Sequence, residues 1–316
     1  MAGFSTQNDE HLIRSALWST QIKETLEDEL FAMRYVRMLS DFPDGEVLNI
    51  PSIGQAEVND YVENQAVKYT AMDTGNFQFQ INKYKSSATY ITEKNKQDSF
   101  YMSELVSSFV PKQARAIAKA MEVDVLAVGP DNQTASNLNT INGADHRFVG
   151  SGTGEAITVT DFAKARYALQ KANVPMTNLV AIVDPSVEYT LSTLTNLVNV
   201  SYNPKWEGII RDGMSTGMQF KMNIYGFDVY VSQNLKSGIS ETIDSVTAST
   251  GVANLFFSAA PDVVPFVGAI RQAPKVDSEY NKDFQREEYV TTARYGFDLY
   301  RPENLVTVIT DTDVVS

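Results

Sequence analysis

Residues 46–53, EVLNIPSI, and 77–91, FQFQINKYKSSATYI, both have the pattern of extended chain, and they bracket a polar stretch from Gln55 to Gly75. In the second run Phe77, Phe79 and Ile81 alternate with Gln78, Gln80 and Asn82. That is the two-residue period of a strand with one apolar face, and the phase slips near Lys85. Two strands joined by so long an excursion predict a protruding arm rather than part of a core sheet. A lone two-stranded ribbon is marginal in water, so something must cover the apolar face of this one. The hairpin is too thin to supply the cover itself, and the expected partner is an adjacent copy of the chain. Lys83 and Lys85 flank Tyr84 on the same arm, where they keep an exposed strand soluble, pair with acidic neighbours or serve recognition.

The other segments are arranged around this arm. Residues 12–40 space their apolar side chains for one or two amphipathic helices ending before the DFPDG turn. From Ser99 to Val128 apolar residues recur at helical spacing with alanines between them, and Pro111 is expected to start or kink this long helix. Its stripe is predicted to run through Ala114, Ala118, Met121 and Val125, leaving Lys112, Arg115, Lys119 and Glu122 on a more exposed face.

Residues 129–155 are rich in Gly, Asn, Ser and Thr and read as a boundary loop. Beyond it come a helix capped by Asp161, a short strand Leu179–Val183, and a second helix opened by Asp184-Pro185. Residues 198–217 read as loop, FKMNIYGFDVYVSQNL as a hairpin turning at Tyr225-Gly226, and ANLFFSA as a strand. The tail holds long extended stretches, notably YVTTARYGFDLY and NLVTVIT. The fold class is therefore α+β.

The 316 residues carry 26 Lys and Arg against 39 Asp and Glu, a formal charge of -13, which is the reverse of a nucleic-acid binder. The absence of cysteine excludes disulfides, thiolate nucleophiles and sulfur-based zinc sites, and two histidines leave little for metal or acid-base chemistry. No stretch has the length of a membrane span and no secretory signal is evident, so a soluble protein made inside the cell is expected.

None of HExxH, GxxxxGK[ST] or GxGxxG occurs. GSGTGE, Gly150 to Glu155, lacks the lysine and preceding apolar strand of a phosphate loop and reads as a connector. His11 and His146 have no second ligand at helical spacing and read as surface residues. The acidic cluster Glu24, Glu27, Asp28 and Glu29 reads as a solvated helix face. No catalytic, cofactor-binding or metal-binding residue is assigned. Tyr202 and Trp206, aromatic residues in a polar loop, are candidate interface anchors, with local packing under the loop as the equal alternative.

Taken in order, YVENQAVKYTAMDTGNFQFQINKYKSSATYITEK, QDSFYMSELVSSFVPKQARAIAKAMEVDVLAV, DFAKARYALQKANVPMTNLVAIVDPSVEYTLSTL, IYGFDVYVSQNL and ARYGFDLYRPENLVTVI resemble the segments of a known family. They are similar to the extended loop, spine helix, first axial units, axial hairpin and closing peripheral strands of the major capsid proteins of tailed bacteriophages, the Hong Kong 97 type fold. The resemblance implies an N-terminal arm at 1–42, an extended loop at 43–96, a peripheral domain at 97–150 and 262–316, and an axial domain at 151–261.

It further implies a structural, non-enzymatic subunit that packs as pentamers and hexamers into an icosahedral virion shell around double-stranded DNA, assembled in the host cytoplasm. Neither a cofactor nor a membrane is implied. Scaffold, portal and decoration proteins are the implied partners, and a scaffold is expected to be either a separate protein or absent, since no long N-terminal scaffolding segment is evident. Phe77, Phe79, Ile81, Lys83 and Lys85 on the arm become candidate subunit contacts. Tyr202, Trp206, Arg211 and Asp212 join them, because the resemblance places residues 202–216 at the capsomer centre. The alternatives are an encapsulin-like compartment shell, with cargo proteins in place of DNA, and an α/β enzyme whose carboxylates do acid-base work.

Overall fold

The computed structural model describes residues 30–39, 47–53, 58–60, 63–66, 74–98, 102–134, 136–193 and 220–312. The amphipathic run 12–29, the acidic cluster within it, His11, and the loop with Tyr202, Trp206, Arg211 and Asp212 lie outside the described residues.

Where the helical pattern was expected to continue to residue 40, the chain instead makes a 3-10 turn, Ala32–Tyr35, and a short strand β1, Val36–Met38. β1 runs parallel to β11, Phe266–Asn281, and the pairing takes up its backbone groups. The arm is the two-stranded ladder of β2, Val47–Ile53, and β3, Thr74–Gln80. At Ile81-Asn82 the chain breaks direction and re-enters extended geometry as β4, Lys83–Thr92. β4 leaves the arm and pairs with β12, Arg286–Leu299, over its whole length. The phase slip in the sequence marks this change of sheet. The resulting four-stranded sheet has the order β1-β11-β12-β4.

After a short helix α1, Glu93–Asp98, comes the long helix α2, Met102–Asn132, which continues through Pro111 rather than starting there. Its buried stripe is Gln113, Ile117, Met121 and Val125, one position away from the alanines expected to carry it. Ile117 and Met121 pack on Ala293 and Tyr295 of β12, and the Tyr295 hydroxyl donates to Asp124 at 2.6 Å. Helix and closing strand, 171 residues apart at the Asp124–Tyr295 pair, meet here. Burial and that hydrogen bond push the Tyr295 phenol well above its ordinary pKa. Ile117→Val is expected to lower the unfolding free energy by about 1 kcal/mol. Lys119→Ala, on the exposed face, should stay within about 0.5 kcal/mol. Denaturant unfolding of both variants checks the assignment.

The second sheet collects β5, Arg147–Val149, β6, Leu179–Val183, β7, Phe220–Ile224, β8, Phe227–Val231, β9, Ile239–Ile243, β10, Val246–Ser258, and β13, Val306–Asp311. Its order is β5-β13-β10-β6-β8-β7, with β9 on the first part of β10. β5 and β13 lie in segments expected to belong to the peripheral domain, yet both are hydrogen-bonded into this sheet.

Helices α3, Val159–Lys171, and α4, Pro185–Thr193, cover one face, where Phe162, Phe227 and Phe256 meet edge to face at 5.1 to 6.4 Å. The other face packs Val180, Ile182, Leu255 and Phe257 on Val125 and Leu126 of α2. With both faces covered, β6 is apolar throughout rather than alternating. The β7–β8 turn is Tyr225-Gly226 as expected, both residues having positive φ.

Asp161 is not itself the cap of α3. Thr158 is, and the Asp161 carboxylate closes a capping box by accepting the Thr158 N–H at 2.8 Å. It also accepts the Ser151 N–H at 3.1 Å, so a protein carboxylate occupies the place an anion would take beside the GSGTGE segment. His146, expected at the surface, is fully buried with Nδ1 facing the Ala144 carbonyl, and burial lowers its pKa.

Candidate assembly surface

The arm stands on the four-stranded sheet by a close backbone crossing. A Cβ at Gly296 of β12 would lie 2.5 Å from the Gln80 carbonyl and 2.9 Å from the Ile81 Cα, so only glycine lets the foot of the arm sit there. This crossing sends the apolar face of β3 inward. Phe79 and Ile81 are buried against Val267 and Ala269 of β11, with Leu39, Leu48, Phe77 and Tyr300 around them, and the Phe77 and Tyr300 rings meet edge to face at 5.2 Å.

Alternation correctly marks Phe77, Phe79 and Ile81 as one buried face, but the cover comes from the chain itself. The lack of an internal partner, the reason for expecting a neighbour on these three side chains, does not hold. What the arm leaves in water is different: Val47 and, beyond the ladder, Val58, which is 93% exposed, together with Asp60 and Glu63.

Lys83 and Lys85 are each 3.8 Å from one oxygen of Asp124 and remain nearly half exposed. One carboxylate therefore faces two ammonium groups and a phenol. Around the arm foot, Gln80, Ile81, Asn82, Lys83, Tyr84, Gln272 and Arg294 line an open cavity of about 520 Å³.

A second exposed feature, which sequence patterning missed, is the far end of the β11–β12 hairpin. Asn281 accepts the N–H groups of Asp283 and Phe284 and so shapes the turn. Arg286 stacks between the rings of Tyr90 and Phe284, at 4.6 and 4.7 Å, and both rings are largely exposed. Arg286 also donates to Glu288 at 2.6 Å, and Lys96 to Glu287 at 2.9 Å, interactions that hold both carboxyls below their usual range. An arginine between two aromatic rings is a composition enriched at protein interfaces.

The N-terminal segment is fixed to the rest by a buried carboxylate. Glu122, expected on the exposed face of α2, is 0% exposed and accepts the N–H groups of Phe31 at 3.2 Å and Ala32 at 2.8 Å. Among the described residues no group of three or more His, Cys, Asp or Glu is placed to hold a metal ion, and no helix is long and apolar enough to cross a membrane.

This architecture is shared with solved phage particles. A solved chain of Mycobacterium phage Che8 aligns with a TM-score of 0.70 at 18% identity, over 95% of this chain and 97% of that one. The capsid of cyanophage Pam1 gives 0.70 at 14% identity over 99% of each chain. The capsid of a native GTA particle gives 0.68 at 9% identity over 98% of this chain and 100% of that one. At these identities the likeness establishes the fold. No curated protein sequence matches the chain. The family described as "Phage capsid protein" matches residues 76–308, from within β3 into the last strand and well over half of the chain. The chain belongs to the phage capsid protein family.

Proposed function

We propose that the chain is the major subunit of a phage head, packing as pentamers and hexamers into an icosahedral shell that encloses double-stranded DNA. Assembly takes place in the host cytoplasm, and scaffold, portal and decoration proteins are the partner classes to look for there. The observation that carries this reading is a family-typical fold with an arm held out from the body. Its ladder spans Val47↔Gln80 to Ile53↔Thr74 and leads to a strongly exposed apolar residue, Val58. A monomer gains nothing from such an extension, whereas a neighbour can cover it.

The net charge of -13 suits a wall that must not hold phosphates while DNA is moved in. Electron microscopy of the purified protein should show closed shells. Deleting Gln55 to Gly75 should abolish the shells while leaving the subunit's melting temperature nearly unchanged, because the buried face of β3 stays on its own chain. Only small monomers or dimers from the intact chain under all assembly conditions would defeat the proposal.

A further inference from the structure

Asn142-Gly143 is the only Asn-Gly pair in the sequence, and the fold gives it a structural task. The two residues are the corners of a tight hairpin turn, with φ +51° and +77°. Ile141 and Ala144 close the turn by exchanging two N–H···O bonds of 2.9 Å. The Asn142 side chain reaches across to α3, where its Nδ2 donates to the Lys171 carbonyl at 2.7 Å. Lys171 ends that helix, so its carbonyl is one of those the helix itself leaves without a donor. Asn142 thus caps α3 from a separate loop, 29 residues away in sequence.

The same turn opens the pair to chemistry. Both residues are exposed to water. The Gly143 N–H donates to no group among the described residues, and a Cβ placed on Gly143 would meet nothing within 4 Å. An amide side chain followed by an unhindered backbone nitrogen holds both reactants of a five-membered ring closure.

We infer that Asn142 is a site of spontaneous deamidation in the folded chain, and that the reaction releases the turn from α3. The Gly143 nitrogen gives its proton to water or hydroxide and attacks Asn142 Cγ. The N–Cγ bond forms, the Cγ–Nδ2 bond breaks, and Nδ2 takes up a proton and leaves as ammonia. Water then adds to the cyclic imide. Opening at Cγ gives aspartate, and opening at the Asn142 main-chain carbonyl gives isoaspartate. In sum an amide and a water become an acid and an ammonia, with no oxidant or cofactor. The hydrogen bond to Lys171 holds the amide in place, so the ring closes during local opening of this exposed turn.

Both products undo the cap. An ionised carboxylate has no proton to donate, and it faces a carbonyl at the negative end of a helix dipole. Isoaspartate also carries the main chain through an added carbon, so Ile141 and Ala144 no longer exchange both bonds. Ala144 is buried in one core with Phe162, Ala165 and Leu169 of α3, and loosening begins at that contact.

Asn139 is the internal control. It has the same φ, +51°, and its Nδ2 is likewise held by a carbonyl, that of Pro302 at 2.7 Å, but the β-branched Thr140 follows it. The full chain is aged at mildly alkaline pH and digested for mass spectrometry. Acid should accumulate at position 142 at least about tenfold faster than at 139, with isoaspartate among the products. Hydrogen exchange of the aged chain should quicken at residues 141–146 and in the last turn of α3, and freshly purified Asn142→Asp should show the same change.

Thermal melts identify a variant that fails to fold, and the aged unaltered chain then carries the test alone. Conversion at 142 no faster than at 139 overturns the assignment of the site. Conversion that leaves hydrogen exchange unchanged overturns the release. Neither measurement requires shells, so the result stands apart from the shell reading.

Discussion

Glu241→Ala is expected to lower the unfolding free energy of the subunit by about 3–5 kcal/mol. Arg147 sits on the edge strand β5 at 1% exposure, and its Nε and Nη2 donate to both oxygens of Glu241 on β9 at 2.8 to 3.0 Å. Its Nη1 finds no partner among the described residues, so the Glu241 carboxylate is the main compensation for that buried charge. Truncating Glu241 leaves a desolvated guanidinium that cannot lose its proton.

The reverse change is milder, because the Glu241 side chain keeps 20% of its surface in water and can hydrate where it stands. Arg147→Met, which fills similar volume without charge, should cost about 1–2 kcal/mol. Denaturant unfolding of unassembled subunits measures both, and equal losses would show that the pair is not organised around a buried arginine. Because β5 is hydrogen-bonded into the second sheet through β13 alone among the described strands, the Glu241 variant should lose hydrogen-exchange protection first at Arg147–Val149.

Sequence patterning revealed those parts of this fold in which burial follows the chain's own period. β6 is apolar throughout because helices cover one face and α2 the other, and β3 alternates because one face is covered. Tyr225-Gly226 shows as a turn because its backbone needs positive φ. Periodicity does not say what supplies the cover. Phe79 and Ile81 are buried by Val267 and Ala269, almost two hundred residues later, and the crossing depends on a glycine at 296 that nothing local singles out.

The same holds for β13. Its NLVTVIT pattern predicts a strand, while its place beside β10 and β5 is settled by long-range packing. Buried polar residues were the hardest to read. Asn254 donates to Val308 and Thr310 and accepts the Asp184 N–H, tying β10, β13 and the start of α4 together from a strand that otherwise looks apolar. A charged or amide residue in sequence is presumed to face water until a distant backbone group claims it.

Glu122 is such a residue, and Glu122→Ala should lower the unfolding free energy by about 2–4 kcal/mol by leaving two buried N–H groups without an acceptor. Phe31 and Ala32 are almost fully buried, so water does not readily replace the lost oxygens. The 3-10 turn and β1 hang from these two residues, and proteolysis between Phe31 and Leu39 should accelerate in this variant.

The site also makes stability depend on pH. Burial raises the Glu122 pKa above the ordinary 4.5, and the two backbone hydrogen bonds, with Arg115 and Arg34 nearby, only partly oppose it. A carboxyl with a raised folded pKa binds its proton more tightly in the folded state. Its contribution is complete below about 4.5 and is lost as pH rises through the folded value.

Glu122→Gln is permanently neutral and keeps one of the two acceptors. It should therefore be less stable than the unaltered chain at low pH and gain on it steadily as pH rises through that window. Unfolding curves from pH 4 to 8 for the two proteins, taken in parallel, decide the matter. If their difference is constant across the range, the buried carboxylate is not the group that holds the N-terminal segment under pH control.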